Sequence, residues 1–312
     1  MKALAVLALW LITASLAFGF DERPNIILFV SDDQRADVLG CAGHPIVRTP
    51  SVDGLARDGV RFSNAFVTTS ICAASRATIL TGVVERTHRY TFGTPPLARR
   101  FGEASYPHRL RAAGYHTGFV GKFGVSVAGG AETIAGMFDT FVPVARTPAM
   151  TTREDGSTRH FTDRIGDEAV AFIRVAPADR PFCLSVSFHA AHAEDGDLQT
   201  HYPHAPAEAG LYTQVPMPRP RLDGEAVHAV HPPFLRESLN RRRFFWRWDT
   251  PEKYDRNLRN YFRMLSGLDR NIGRVMAELE ASKLASNTVI IFTSDNGYFM
   301  GERGFAGKWS HY

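Results

Sequence analysis

Three short stretches of the chain are apolar almost without interruption: Asn25 to Val30, Phe182 to Phe188 and Thr288 to Ser294. Runs of this length suit strands covered on both faces, as in a parallel sheet. Tyr115 to Val120 reads the same way, and Val60 to Val67 also reads as a strand. Helical periodicities lie between these runs. Leu258, Tyr261, Phe262, Leu265, Leu268, Ile272, Val275, Met276 and Leu279 form the strongest stripe, which reads as core. Phe161, Ile165, Ala169, Phe172 and Ile173 mark one face of a second helix. Thr49-Pro50 is an N-cap followed by a first-turn proline, opening a short helix that ends before Gly59. Glu103 to Ala113 is helical, with Pro107 as a candidate start and Gly114 as the stop. Residues 124–158 read as loop with short elements, and residues 193–251 as a long excursion over the surface. Strands alternating with helices predict an α/β fold, a mostly parallel central sheet with helices on both faces.

Composition narrows this picture in three ways. The 312 residues suffice for a large core in one domain or two. A formal net charge of +4 is mild. It helps attract an anionic substrate, but no nucleic-acid-binding motif accompanies it, so no nucleic acid is expected as partner. Lys2, the apolar run Ala3 to Ile12 and the small residues around Ala17-Phe18-Gly19 predict a secretory signal peptide over residues 1–19. The catalytic domain then covers residues 20–312. The run is shorter than the ~20 residues of a spanning helix. The expectation is a secreted or periplasmic protein without stable membrane insertion after cleavage. The three cysteines, Cys41, Cys72 and Cys183, allow at most one disulfide, and spacing does not say which.

The polar residues at the strand ends carry the chemistry. Asp32-Asp33, Lys122, His189 with His192, and Asp295-Asn296 each follow an apolar run. In an open α/β sheet, ligand sites form in the crevice beyond the carboxyl ends of the strands, so these groups should converge. Taken singly, each also reads as a solvated turn or an exposed side chain. Together, three carboxylates and an amide carbonyl make an oxygen-rich set that suits a hard cation. Two histidines three apart raise zinc, but a third ligand is lacking. The stretch Ser70-Ile71-Cys72-Ala73-Ala74-Ser75-Arg76 places Cys72 and Arg76 four apart, on one face of a starting helix. Thr68, Thr69 and Ser70 are candidate N-caps, and a helix N-terminus favours an anion. A small buried cysteine opening an ordinary helix is the competing reading.

Cys72-Ala73-Ala74-Ser75-Arg76 followed by Leu80-Thr81-Gly82 resembles the signature of the type I sulfatases, within the alkaline-phosphatase-like superfamily. Pro24 to Asp33, Gly121-Lys122, the strand leading to His192, Ser294-Asp295-Asn296-Gly297 and Gly307-Lys308-Trp309 follow in the order seen in that family. The resemblance implies that Cys72 is oxidised to formylglycine by a formylglycine-generating or other sulfatase-maturing enzyme. It implies one Ca²⁺ held by Asp32, Asp33, Asp295 and Asn296, with the modified Cys72 completing the site. Arg76 would stabilise the aldehyde hydrate, Lys122 and Lys308 would contact the sulfate, and His192 would assist the leaving alcohol. One hydroxyl of the hydrate attacks sulfur, the alcohol leaves protonated by His192 or Lys308, and the second hydroxyl then expels sulfate. The implied substrate is a sulfated small molecule or carbohydrate.

Arg241 to Trp248 mixes arginine with aromatics. Such a patch suits a sulfated sugar through arginine pairing and ring stacking, but a helix covering the core with arginine outside is the preferred reading. Two features depart from the family. Gly124 stands where a histidine often follows the lysine, with His189 as a guessed substitute. The family also continues past the Lys308 motif into more sheet and a smaller C-terminal subdomain. The expectation is a domain truncated at its C-terminus, with an uncovered sheet edge and exposed apolar surface. A phosphoester or phosphonate ester hydrolase on the same scaffold, and a catalytically inactive sulfatase-like binding protein, are the alternatives.

Overall fold

The computed structural model describes residues 23–310. The signal peptide expected over residues 1–19 lies outside them. The strands are β1 Asn25–Ser31, β2 His116–Gly121, β3 Thr140–Pro143, β4 Met150–Thr152, β5 Thr158–His160, β6 Phe182–Ser187, β7 Thr288–Ser294, β8 Phe299–Met300 and β9 Ala306–Gly307. Five of them form the central sheet in the order β3-β2-β6-β1-β7, and every pairing in it is parallel. The apolar runs therefore lie where a parallel sheet needs them. β6 is buried along its whole length, and Ile27 of β1 sits between Leu184 and Ile290. Two short antiparallel hairpins, β4–β5 and β8–β9, stand apart from this sheet.

Apolar side chains cover both faces. Phe119 packs on one side with Ala77, Leu80, Met137 and Phe138, whereas its neighbour Val120 joins the larger core on the other side. That larger core is built on two helices, Phe161–Val175 and the 31-residue Pro251–Ala281. The predicted stripe of the long helix faces inward, with Leu258 through Leu279 buried and Met276 partly buried. Thr250 caps this helix by accepting from the Lys253 amide at 3.3 Å, and Pro251 opens it. Polar pairs lock the two helices: Asp163 accepts from Asn271 at 2.9 Å and from Arg270 at 2.7 Å. The Thr49-Pro50 helix runs Pro50–Asp58 as expected, and the third runs Tyr106–Ala112 with Pro107 in its first turn. No helix among the described residues is long and apolar enough to cross a membrane.

Two expectations change and two are met. Residues 60–67 are not a strand: Val60, Phe62 and Phe66 are at least 79% exposed. An apolar alternation specifies which face a strand would bury, but a strand also needs a partner, and none pairs with this segment among the described residues. β7 is the edge strand, exposing Val289 and Ile291, so the expected uncovered edge and apolar surface are present. Within residues 124–158, Thr140–Pro143 is the opposite edge strand, one of the short elements expected there. Residues 193–251 are not purely superficial either. Tyr202 is fully buried with its ring edge-on to Tyr261 at 5.7 Å, and Arg247 is fully buried. The three cysteines are free thiols.

Two tests of the core follow from these contacts. Leu265 is fully buried in the middle of the long helix, so Leu265→Ala should cost about 2–5 kcal/mol in denaturant unfolding. His160 caps the Phe161–Val175 helix, its Nδ1 accepting from the Thr162 amide at 3.3 Å. Burial pushes its imidazole down from 6.5 to about 4. In that window the unfolded chain takes up a proton that the folded chain refuses, so stability falls as pH falls. His160→Asn keeps an acceptor but cannot titrate, and should flatten the loss of melting temperature between pH 7 and pH 4.

Candidate active site

β1 and β7 are neighbours in register, with Ser31 opposite Ser294. The residues that follow each strand therefore emerge side by side: Asp32 and Asp33 from one, Asp295 and Asn296 from the other, all essentially fully buried. The Asp33 amide donates to Asp295 Oδ1 at 3.1 Å, and Asn296 Nδ2 donates to Asp33 Oδ1 at 2.6 Å. Asp33 adopts φ +56°, a left-handed conformation that aspartate tolerates better than most residues.

Cys72 is the first residue of the helix Cys72–Thr81. The N-cap is Ile71 rather than Thr68, Thr69 or Ser70, and no side chain caps the helix. Thr69 is turned instead toward Glu85, 3.2 Å away. The positive end of this helix thus faces the carboxylates without a competing cap. Cys72 Sγ lies 3.1 Å from Asp32 Oδ1 and 3.8 Å from Asp33 Oδ1 and also touches Lys308 Nζ. Burial, reinforced by the charges of Asp32, Asp33 and Asp295, pushes the Cys72 thiol well above its usual range. A cysteine that attacks as a thiolate needs the opposite shift.

Each carboxylate meets a cation. Arg76, one helical turn beyond Cys72 and 5% exposed, donates from Nε to Asp295 Oδ2 at 2.8 Å and from Nη1 to the Lys122 carbonyl at 2.8 Å. Lys122 pairs with Asp32, and Lys308 with Asp33. Burial pushes Asp32 up, but Lys122, His192, Arg76 and Lys308 together outweigh it and hold the carboxyl well below the usual range. Asp295 moves the other way, raised by burial and by the charge of Asp32. Three carboxylates thus face three cations, Arg76, Lys122 and Lys308.

The predicted residues therefore meet: Asp32, Asp33, Cys72, Arg76, Lys122, His192, Asp295, Asn296 and Lys308 form one network. His192 Nε2 is 3.7 Å from Asp33 Oδ2, and burial pushes the ring down to about 4, so it is neutral near pH 7. Ligand atoms of Asp32, Asp33, Cys72 and His192 all lie within 4.8 Å of one another, which adds His192 to the possible metal donors. Asp33 Oδ2 and Asn296 Oδ1 are buried without hydrogen-bond partners. Two orphaned oxygens in a carboxylate cluster fit a hard cation such as Ca²⁺.

His189 does not fill the role guessed for it. Its Nε2 is 2.6 Å from the Val144 carbonyl and its ring meets Phe161 edge-on, so that nitrogen supports the segment after the neighbouring strand rather than standing in for the histidine missing at Gly124. Gly124 has a local reason to be glycine. It adopts φ +68°, and a Cβ there would lie 2.9 Å from Arg76 Cδ. A histidine at this position would have to displace Arg76. The arginine-outside reading of residues 241–248 holds for Arg242, which is exposed, but not for Arg241 and Arg247, which are buried, and Phe245 is 48% exposed. Two residues at the site are not among those expected from the sequence. Ser187, at the end of β6, accepts from Arg76 Nη1, and Arg146 contacts His192 Nδ1. Only its place at a strand end marked Ser187.

Residues 24–312 match the family model described as Sulfatase. The chain is 24% identical over 355 residues to an N-acetylglucosamine-6-O-sulfatase of Bacteroides thetaiotaomicron, covering 92% of this chain and 60% of that protein. It is 28% identical over 330 residues to the iduronate 2-sulfatase of Mus musculus, covering 92% of this chain and 57% of that protein. The chain thus spans a little over half the length of these relatives. A phosphonate monoester hydrolase of Agrobacterium radiobacter shares the fold with a TM-score of 0.71 at 22% identity, covering 93% of this chain and 66% of that one. A structure solved with its substrate D-glucosamine-2-N,6-O-disulfate aligns with a TM-score of 0.68 at 24% identity, covering 91% of this chain and 67% of that one. The signature around Cys72, the strand-end carboxylates and the match along residues 24–312 agree: this chain belongs to the type I sulfatases, in the alkaline-phosphatase-like superfamily.

Proposed function

We propose that the protein hydrolyses an organic sulfate ester to an alcohol and sulfate, using formylglycine made from Cys72 and one Ca²⁺. The observation that carries this reading is the state of Cys72. It opens a helix beside three aspartates, each paired with a cation, Arg76, Lys122 or Lys308, and is held as a neutral thiol. That environment suits a residue to be modified rather than a thiolate nucleophile. When present, formylglycine supplies the hydrated nucleophile and the cation supplies charge to polarise the ester.

The chain's own residues divide the remaining work. Asp32, Asp33, Asp295 and Asn296 would hold the cation, and Cys72 after modification would complete the set. Arg76, anchored by Asp295 and Ser187, keeps a fixed positive charge one turn from residue 72. Lys122 and Lys308 now neutralise Asp32 and Asp33. Turning toward a sulfate group would free those carboxylate oxygens for the cation, so anion and metal are held by one exchange of partners. His192, neutral and buried, presents Nε2 to the site, where it and Lys308 are the candidate donors to the departing oxygen.

The substrate is a sulfated small molecule or carbohydrate. The sulfated-sugar names of the relatives support the carbohydrate class. A sulfatase-maturing enzyme is the required partner, and secretion or periplasmic export is the matching location. A phosphoester or phosphonate ester hydrolase is the second reading, motivated by the fold shared with a phosphonate monoester hydrolase. Turnover of matched sulfate and phosphonate esters separates the two.

Two experiments test the proposal. After co-expression with a maturation enzyme, mass spectrometry of the peptide across Cys72 should show conversion of the thiol to an aldehyde. Cys72→Ala should reduce ester turnover to background, and an unmodified thiol with no hydrolysis of any sulfate ester would overturn the reading. Asp295→Ala should weaken Ca²⁺ binding by about tenfold or more in calorimetry and lower turnover with it. Intact calcium affinity and activity in that variant would show that the metal site has been misassigned.

A further inference from the structure

His192 lies in the loop after β6 and Lys308 in the segment after β9. The helix Leu239–Arg247 touches both segments. Three residues beyond His192, the Asp195 carboxylate accepts from two arginines of this helix. Arg243 Nε donates to Oδ2 at 3.1 Å, and Arg247 Nη2 donates to Oδ1. Arg247 is fully buried and also donates to the Tyr298 hydroxyl at 2.8 Å. On its other side the helix holds the Lys308 segment. Asn240 Nδ2 donates to the Lys308 carbonyl and, at 3.0 Å, to Ser310 Oγ, while the Arg243 guanidinium lies 4.7 Å over the Trp309 ring.

We propose that Asp195 is a positioning residue that sets the spacing between His192 and Lys308 through Arg243 and Arg247. The proposal rests on the sulfatase reading for its chemistry. As the S–O bond breaks, its electron pair goes to the ester oxygen, which takes a proton from His192 or Lys308. Whichever of the two donates must reach that oxygen, and a fixed spacing between their two segments keeps both in position. Arg247 makes this connection stiff. A fully buried guanidinium needs its counter-ion, so the loop carrying Asp195 cannot drift from the helix without leaving a charge unpaired. Arg243 joins the two sides directly, with its donors on Asp195 and its face on Trp309.

The expected signature is selective. A displaced proton donor matters most when the leaving oxygen is a poor leaving group and least when it is a good one. In the mature enzyme, Asp195→Asn should lower kcat for an alkyl sulfate by about tenfold more than for a nitrophenyl sulfate, with KM changed by less than about threefold. Asp195→Glu should restore much of the loss. Hydrogen exchange on the unreacted chain should show residues 189–195 and 304–310 loosening together in Asp195→Asn. If that variant fails to fold, Arg243→Lys, which keeps a charge on Asp195 but loses the planar contact with Trp309, should give the same selective loss. Equal losses on both esters, or faster exchange in only one of the two segments, would overturn the proposal while leaving the sulfatase reading intact. A mature wild-type chain inert to these and to every other sulfate ester, sulfated sugars included, would sink the sulfatase reading and this proposal with it.

Discussion

The β1–β7 ladder brings together residues more than 260 positions apart, because Ser31 and Ser294 are parallel partners. Parallel pairing points both carboxyl ends in one direction, so Asp32-Asp33 and Asp295-Asn296 leave the sheet at the same level. Without that register the acids would be ordinary turn residues. With it they form a buried negative cluster, which then dictates its surroundings: Arg76, Lys122 and Lys308 are all drawn into ion pairs with it. Removing one partner of such a pair strands the other in low dielectric, at a cost of several kcal/mol. The site is thus assembled by the sheet and held by mutual electrostatic need.

The strand runs and the long helical stripe were legible because burial on both faces, and on one face of a helix, leaves a direct trace in the sequence. The site acids, Lys122 and His192 were legible for a related reason. Each follows an apolar run, and strand ends are where an α/β sheet places ligands. Cys72, Arg76 and Lys308 needed the family resemblance, since a cysteine before an apolar helix is commonplace. What escaped was decided by partners distant in sequence. Val60 to Val67 has the composition of a strand but pairs with nothing among the described residues, whereas the short Thr140–Pro143 is a strand because β2 lies beside it. The arginines of residues 241–247 look like solvated cations. Asp195 and Tyr298 turn Arg247 inward, and the Gly304 carbonyl does the same for Arg241.

Gly124 illustrates how a departure from a family pattern can be read physically. The glycine, together with the missing C-terminal region, is what motivates the reading as an inactive protein. Its left-handed backbone and the close approach of Arg76 show that the position serves the packing of a site cation. A side chain there would compete with Arg76 for space, and Arg76 is the cation that holds Asp295. The loss of a histidine is therefore compatible with a retained charge network, and it does not by itself argue for loss of chemistry. Nor does His189 replace that histidine, because its Nε2 is committed to the Val144 carbonyl.

The same charge network ties anion and cation binding together. Lys122 and Lys308 are each engaged with an aspartate oxygen, so an incoming sulfate group must compete with Asp32 and Asp33 for them. In the proposed reading, a divalent cation on the carboxylates would release that competition. Conversely, an anion on the lysines would expose carboxylate oxygens and strengthen the hold on a cation. Linkage requires the two effects to be equal: whatever factor the cation contributes to anion affinity, the anion contributes to cation affinity. The orphaned oxygens of Asp33 and Asn296 are where such a cation would gain ligands, and the lysines it displaced would be left to the ester.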